Sequence, residues 1–167
     1  RPGSRIYAGL QPGVGLRELA AAVKGGRCDE VLHSFEPKPG DCVFIPAGTV
    51  HAIGAGLLVA EIQQSSDVTY RLHDWNRTGP DGRPRPLHVE AGLEAVTRTG
   101  PVAPVTPAAT ADEGVSRLVD CPYFRLDEIR PDGHWEVGGE GRWHFLAVLA
   151  GSVTCDDRWK LPPLGPG

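Results

Sequence analysis

The chain has 167 residues, 40% of them hydrophobic and 23% charged, with 22 glycines and 16 prolines, a balance that suits strands joined by turns. A formal net charge of -4 and the lack of a basic tract exclude a nucleic-acid grip, and no run of about 18 apolar residues is present to span a bilayer. The four cysteines, Cys28, Cys42, Cys121 and Cys155, are widely spaced without a C-x-x-C pair, which argues against a disulfide scaffold and for a reducing cytoplasm.

In chain order, residues 5–10 (RIYAGL) predict a strand. Leu16, Leu19, Ala20 and Val23 recur at helix spacing, and Gly25-Gly26 stops that helix. Val31, Leu32 and Phe35 predict a second short helix, ended by Pro37. Nothing in these two helices converges chemically, so they are expected to cover an end of the β structure, with Lys24 and Arg27 on a solvated surface or a site rim.

Residues 40–75 are the stretch to which the rest is subordinate. Apolar and β-branched residues at 42–45 predict one strand, Pro46-Ala47-Gly48 a tight turn, and residues 57–64 a second strand. His51 follows the turn, where backbone geometry places its ring. Such a histidine is either a metal ligand or a buried, hydrogen-bonded one. An unbroken second strand puts Leu57, Val59, Glu61 and Gln63 on one face. A carboxylate buried there needs a cation, and Arg71, sharing a face with Thr69 and His73 beyond a Ser65-Ser66-Asp67 turn, is the nearest in kind. A structural Glu61–Arg71 ion pair and a working site both satisfy that pattern.

Beyond Trp75, Arg77, Arg83 and Arg85 cluster among Gly and Pro, either to steer a phosphorylated ligand or as an ordinary exposed loop. A short helix is predicted over 88–96, with His88 a surface or capping residue because it has no companion ligand at i+4. Residues 99–112, rich in Pro, Ala and Thr, mark a connector. Residues 116–129 and 143–155 predict strands on either side of a polar, Gly-rich turn at 130–141, with Gly151 in a tight turn. His134 and His144 are too far apart in sequence to be read as a ligand pair.

Two resemblances follow from these residues. Gly40, Pro46, Gly48 and His51 resemble the second motif of the cupins. The longer string PAGTVHAIGAGLLVAEIQQSSDVTYRLHDWN resembles, far more specifically, the type I mannose-6-phosphate isomerases, from about residue 5 to about residue 75 and more weakly through HFLAVLAGSVTC. The resemblance implies a mostly β fold: a cupin (jelly-roll) barrel, present in part, with a few short covering helices. Its implied organisation is the C-terminal part of a catalytic cupin domain (1–98), a linker (99–112) and the start of a second, metal-free cupin-like domain (113–167).

The implied activity is interconversion of mannose 6-phosphate and fructose 6-phosphate with one Zn²⁺, by a cytoplasmic monomer whose partner is a phosphorylated hexose. By the same resemblance, His51 is a zinc ligand, and Glu61 and Arg71 are active-site residues, Glu61 as base or as positioning group. The family's remaining ligands, a Gln and a His close together and a Glu further on, have no counterpart before His51. With no Met and with ends in RPG and LPPLGPG, the sequence is expected to be a fragment, inactive alone. Ala55 stands where cupins usually have Asn, and His73 where the isomerases usually have Tyr or Phe. Two other classes stay open: a different metal-dependent cupin enzyme, and a non-catalytic carbohydrate-binding cupin.

Overall fold

Strand β1 (Ile6–Leu10) is buried at Ile6, Ala8 and Leu10, and it is the middle of a three-stranded antiparallel sheet. Strand β2 (Leu32–Phe35) pairs with it through Ile6↔Phe35 and Leu10↔Leu32, and β3 (His51–Ile53) through Ile6↔Ile53 and Ala8↔His51. Gly9 takes φ +75 inside β1, where the register on β2 shifts, so the strand bulges at the one residue that tolerates a left-handed backbone. This computed structural model describes residues 1–66, 68–138 and 141–154.

Helix α1 (Leu16–Lys24) forms where the apolar spacing predicts it. The Glu18 carboxylate accepts the Gly15 N–H at 3.1 Å at its start, and Gly25 and Gly26 (φ +67) end it. Its inner face sends Leu19 and Val23 into a core with Leu10, Cys28, Leu32 and Val96. Leu10 and Leu19 are fully buried, each stabilising the fold by about 1.5–3 kcal/mol relative to exposure. Helix α2 (Val89–Glu94) brings Val89 and Leu93 to the same core, as does Leu72 from the loop before it.

The second sheet has the order β4-β5-β6, with β4 (Ala108–Ala109), β5 (Val115–Asp120) and β6 (Arg125–Ile129) all antiparallel. Arg117 on β5 pairs with Asp127 directly across on β6 and with Asp120 at 3.0 Å. The Pro-rich stretch before β4 is tied down by backbone bonds, Val102 N–H to the Ala8 carbonyl at 3.0 Å and Val105 N–H to the Cys42 carbonyl at 2.7 Å. The chain divides into two compact units, Arg1–Arg130 and Pro131–Gly167, and every element named here lies in the first.

The expected mostly β cupin barrel, present in part, is not what forms. The fold is mixed α/β, with two open sheets of three strands each among the described residues. Barrel closure needs long strands hydrogen-bonded on both edges. Residues 42–45 and 57–64, expected to be strands, instead run irregularly, with Leu58, Val59 and Ile62 exposed. The segment expected as a second helix, 31–35, is mostly β2, preceded by a short 3₁₀ turn at Cys28–Glu30. Residues 143–154 form no strand and leave Trp143 and Phe145 exposed; Cys155, the end of that expected strand, lies outside the described residues, as does Asp67 of the expected 65–67 turn.

Candidate active site

His51 opens β3 directly after a turn whose geometry depends on Gly48. Thr49 N–H bonds to the Pro46 carbonyl at 3.2 Å, and Gly48, at φ +80, occupies the turn position that requires a left-handed backbone. The Gly48 carbonyl then accepts the Thr97 and Arg98 N–H groups, and Val50 receives the Gly9 N–H, so the ladder on both sides sets where His51 begins. His51 Nδ1 lies 2.9 Å from the Thr49 carbonyl oxygen. A carbonyl only accepts, so Nδ1 is the donor in this contact, and in the neutral ring that tautomer leaves the lone pair on Nε2 of an exposed residue. That is the second-partner arrangement common to metal-binding imidazoles.

Glu61 is exposed in the irregular 57–64 run and has no hydrogen-bond or ion-pair partner among the described residues. The desolvation argument for a paired Glu61 therefore does not apply, because its carboxylate stays in water. Arg71 has found a different partner. Its Nε lies 4.0 Å from Asp74 Oδ1, and its Nη1 donates to the Pro86 carbonyl at 3.2 Å. Its backbone is held as firmly: Arg71 N–H donates to His88 Nδ1 at 3.2 Å, and the Arg71 carbonyl accepts the His88 N–H at 2.8 Å. Among the described residues no hydrogen bond or ion pair joins any two of His51, Glu61 and Arg71.

Asp74, buried at 6% exposure, is the centre of this charge cluster. Arg85 donates Nε to Oδ2 at 2.7 Å and Nη2 to Oδ1, and Arg77 donates Nε and Nη2 to Oδ1 at 3.2 and 2.8 Å. The hydrogen bond from Arg85, helped by Arg77 and opposed by burial, holds the Asp74 carboxyl at about 2 from an ordinary 3.8. Thr78 and Pro84 pair across a hairpin, with Gly79 N–H on the Arg83 carbonyl at 2.7 Å, and this turn returns Arg85 to Asp74. Next to it, Arg77 N–H closes a turn on the Asp74 carbonyl at 2.9 Å with φ +47 at Trp75 and +53 at Asn76. A left-handed Trp costs on the order of 1–3 kcal/mol. Ring contacts with Tyr7 (5.9 Å between centroids) and His73 (4.9 Å) offset that strain.

Sequence reasoning did not single out Asp74; it read Arg85, with Arg77 and Arg83, as either steering a phosphorylated ligand or lying in an ordinary exposed loop, and His88 as a surface or capping residue. The one available signal was an Asp beside three arginines in a Gly-Pro loop, which by itself reads as solvated charge.

Among the described residues no group of three or more His, Cys, Asp or Glu side chains stands together to hold a metal ion. Zinc takes about four ligands. His51 suits one of those places, and these residues do not make up the set.

No protein-family model matches the chain. It is 36% identical over 136 residues to the mannose-6-phosphate isomerase of Streptococcus mutans, a match covering 80% of this chain and 43% of that protein. It is 37% identical over 138 residues to the mannose-6-phosphate isomerase ManA of Bacillus subtilis, again covering 80% of this chain and 43% of that protein. In three dimensions it matches the crystal structure of the mannose 6-phosphate isomerase from Bacillus subtilis with a TM-score of 0.81 at 27% identity, over 100% of this chain and 54% of that one. These relatives are sugar-phosphate isomerases as a class. The chain belongs to the mannose-6-phosphate isomerase family, and it spans about half the length of the curated relatives it matches.

Proposed function

We propose that the chain supplies part of the active site of an isomerase that interconverts mannose 6-phosphate and fructose 6-phosphate. The observation that carries this reading is Arg71, a guanidinium whose side chain is only 24% exposed and whose backbone and side chain are both fixed. Moving a proton between C2 and C1 of an aldose leaves negative charge on the carbonyl oxygen, so the barrier falls only where a fixed cation or donor waits for that oxyanion. Arg71 has such donors to spare, because Nη2 makes no hydrogen bond among the described residues. Glu61, without a partner among the described residues and open to solvent, is a carboxylate available to take or position the proton. His51 offers Nε2 as one ligand to a zinc ion, which when bound polarises substrate oxygens.

Support for the substrate comes from the relatives, which are mannose-6-phosphate isomerases over the aligned half. Activity then belongs to the whole protein, and the 167 residues alone are inactive. The proposed setting is the cytoplasm, on the wide spacing of the cysteines.

Zinc content and isomerase turnover of the whole protein carrying His51→Ala or Arg71→Ala test the assignment. Arg71→Ala keeps its zinc and loses about 100- to 1,000-fold in kcat, the cost of one oxyanion donor; His51→Ala loses zinc. Wild-type turnover in either variant sinks the role given to that residue.

A further inference from the structure

We propose that Asp74 is a positioning residue for Arg71, and that Arg85 is the clamp that lets it act. The inference rests on the catalytic reading of Arg71 given above. Arg71 lies in irregular chain, where no strand ladder fixes its direction. What holds it is a strap formed by residues 84–88. That strap touches the 71–74 segment at three successive points: Arg85 on the Asp74 carboxylate, the Pro86 carbonyl on Arg71 Nη1, and His88 on the Arg71 backbone through both its ring and its N–H. Asp74 closes the frame from below, with its Oδ1 facing Arg71 Nε.

Charge explains why one aspartate serves several arginines. Three guanidiniums converge on a single carboxylate, and with Asp74 neutral or removed they repel one another. Arg77 is 60% exposed and free to swing into water, and Arg85 is 35% exposed; Arg71, at 24%, is the least able to leave. Asp74 therefore sets the direction of Arg71, and the bidentate Arg85 fork keeps the carboxylate in that orientation. Gly92 helps from the other side: a Cβ there would stand 2.6 Å from Leu72 Cδ2 and 3.3 Å from Tyr70 Cβ, so glycine lets α2 approach the segment that carries Arg71 without displacing the Leu72 side chain.

A double-mutant cycle in the whole protein tests this, using kcat and KM for mannose 6-phosphate of Asp74→Asn, Arg71→Ala and the double variant. The expected result is a fall of about 10- to 100-fold in kcat for Asp74→Asn with KM near wild type, the scale of a misplaced catalytic group. In the Arg71→Ala background the same substitution then costs nothing further. An equal loss in both backgrounds assigns Asp74 a merely structural role and overturns the inference. So does wild-type kcat in Asp74→Asn while Arg71→Ala is crippled. Full activity of Arg71→Ala instead strikes the catalytic reading itself, which keeps the two failures apart. If Asp74→Asn does not fold, the same cycle run with Arg85→Lys, which keeps the charge and loses the fork, decides by the same criteria.

Discussion

Arg85 grips both oxygens of the buried Asp74 carboxylate, Oδ2 through Nε at 2.7 Å and Oδ1 through Nη2. The two residues are 11 positions apart, on either side of a hairpin of Gly, Pro and Asp, so a side-chain contact finishes what the loop backbone begins.

That contact fixes the sign of an acid dependence. The folded-state carboxyl of Asp74 sits at about 2, below its ordinary 3.8, so its contribution to stability is complete above about pH 4 and is lost as pH falls toward 2. The asparagine variant has no such proton to bind. The Tm gap between wild type and Asp74→Asn is therefore expected to be widest near neutral pH and to shrink between about pH 4 and pH 2. A gap that stays constant across that window in thermal melts contradicts the assignment.

Two glycines should respond unequally to alanine. A Cβ on Gly48 meets the Thr97 hydroxyl, and one on Gly9 meets the backbone carbonyl of Gly100; both residues have left-handed φ. Thr97 can rotate and the Gly100 backbone cannot. Gly48→Ala is expected to cost about 1–3 kcal/mol from its backbone strain, and Gly9→Ala distinctly more. Urea unfolding of the two variants ranks them directly.

Leu19 and Leu16 are one helical turn apart on α1, one fully buried and the other, at the helix start, 44% exposed. Leu19→Ala should cost about 2–5 kcal/mol, while Leu16→Ala should stay near 0.5 kcal/mol. Equal midpoint shifts in denaturant would mean that α1 does not pack as described.

Thr49 has a buried hydroxyl with no hydrogen-bond partner among the described residues. Its carbonyl, not its side chain, holds the His51 ring. Thr49→Val is therefore expected to be neutral or to stabilise by about 1 kcal/mol, with zinc content of the whole protein unchanged. A loss of bound zinc in this variant points to a role for the hydroxyl.

What could be read from the letters was whatever local pattern decides. The spacing of Leu16, Leu19 and Val23 with Gly25-Gly26 marked α1, and the Pro-Ala-Gly turn placed His51 just past it, while the pairing Ala8↔His51 showed that a strand begins there. Val31, Leu32 and Phe35 fit a helical turn equally well, and the pairing Leu10↔Leu32 and Ile6↔Phe35 settled the segment as β2. Residues 57–64 have a strand's alternation without a neighbour among the described residues to receive their hydrogen bonds, and a strand needs that neighbour. The Asp74 cluster was illegible for another reason. Its members share no period, and only the folded hairpin shows that Arg77 and Arg85, of the three arginines there, close on the acid.

His51 and Arg71 hang from different supports. The histidine rides on main-chain bonds between β1 and β3, which dissolved ions leave nearly untouched; the arginine is steered by opposed charges, two of whose bearers face water. At about 1 M salt the screening length shrinks to about 3 Å. Concentrated electrolyte thus slackens the aim of Arg71 while the imidazole of His51 stays put.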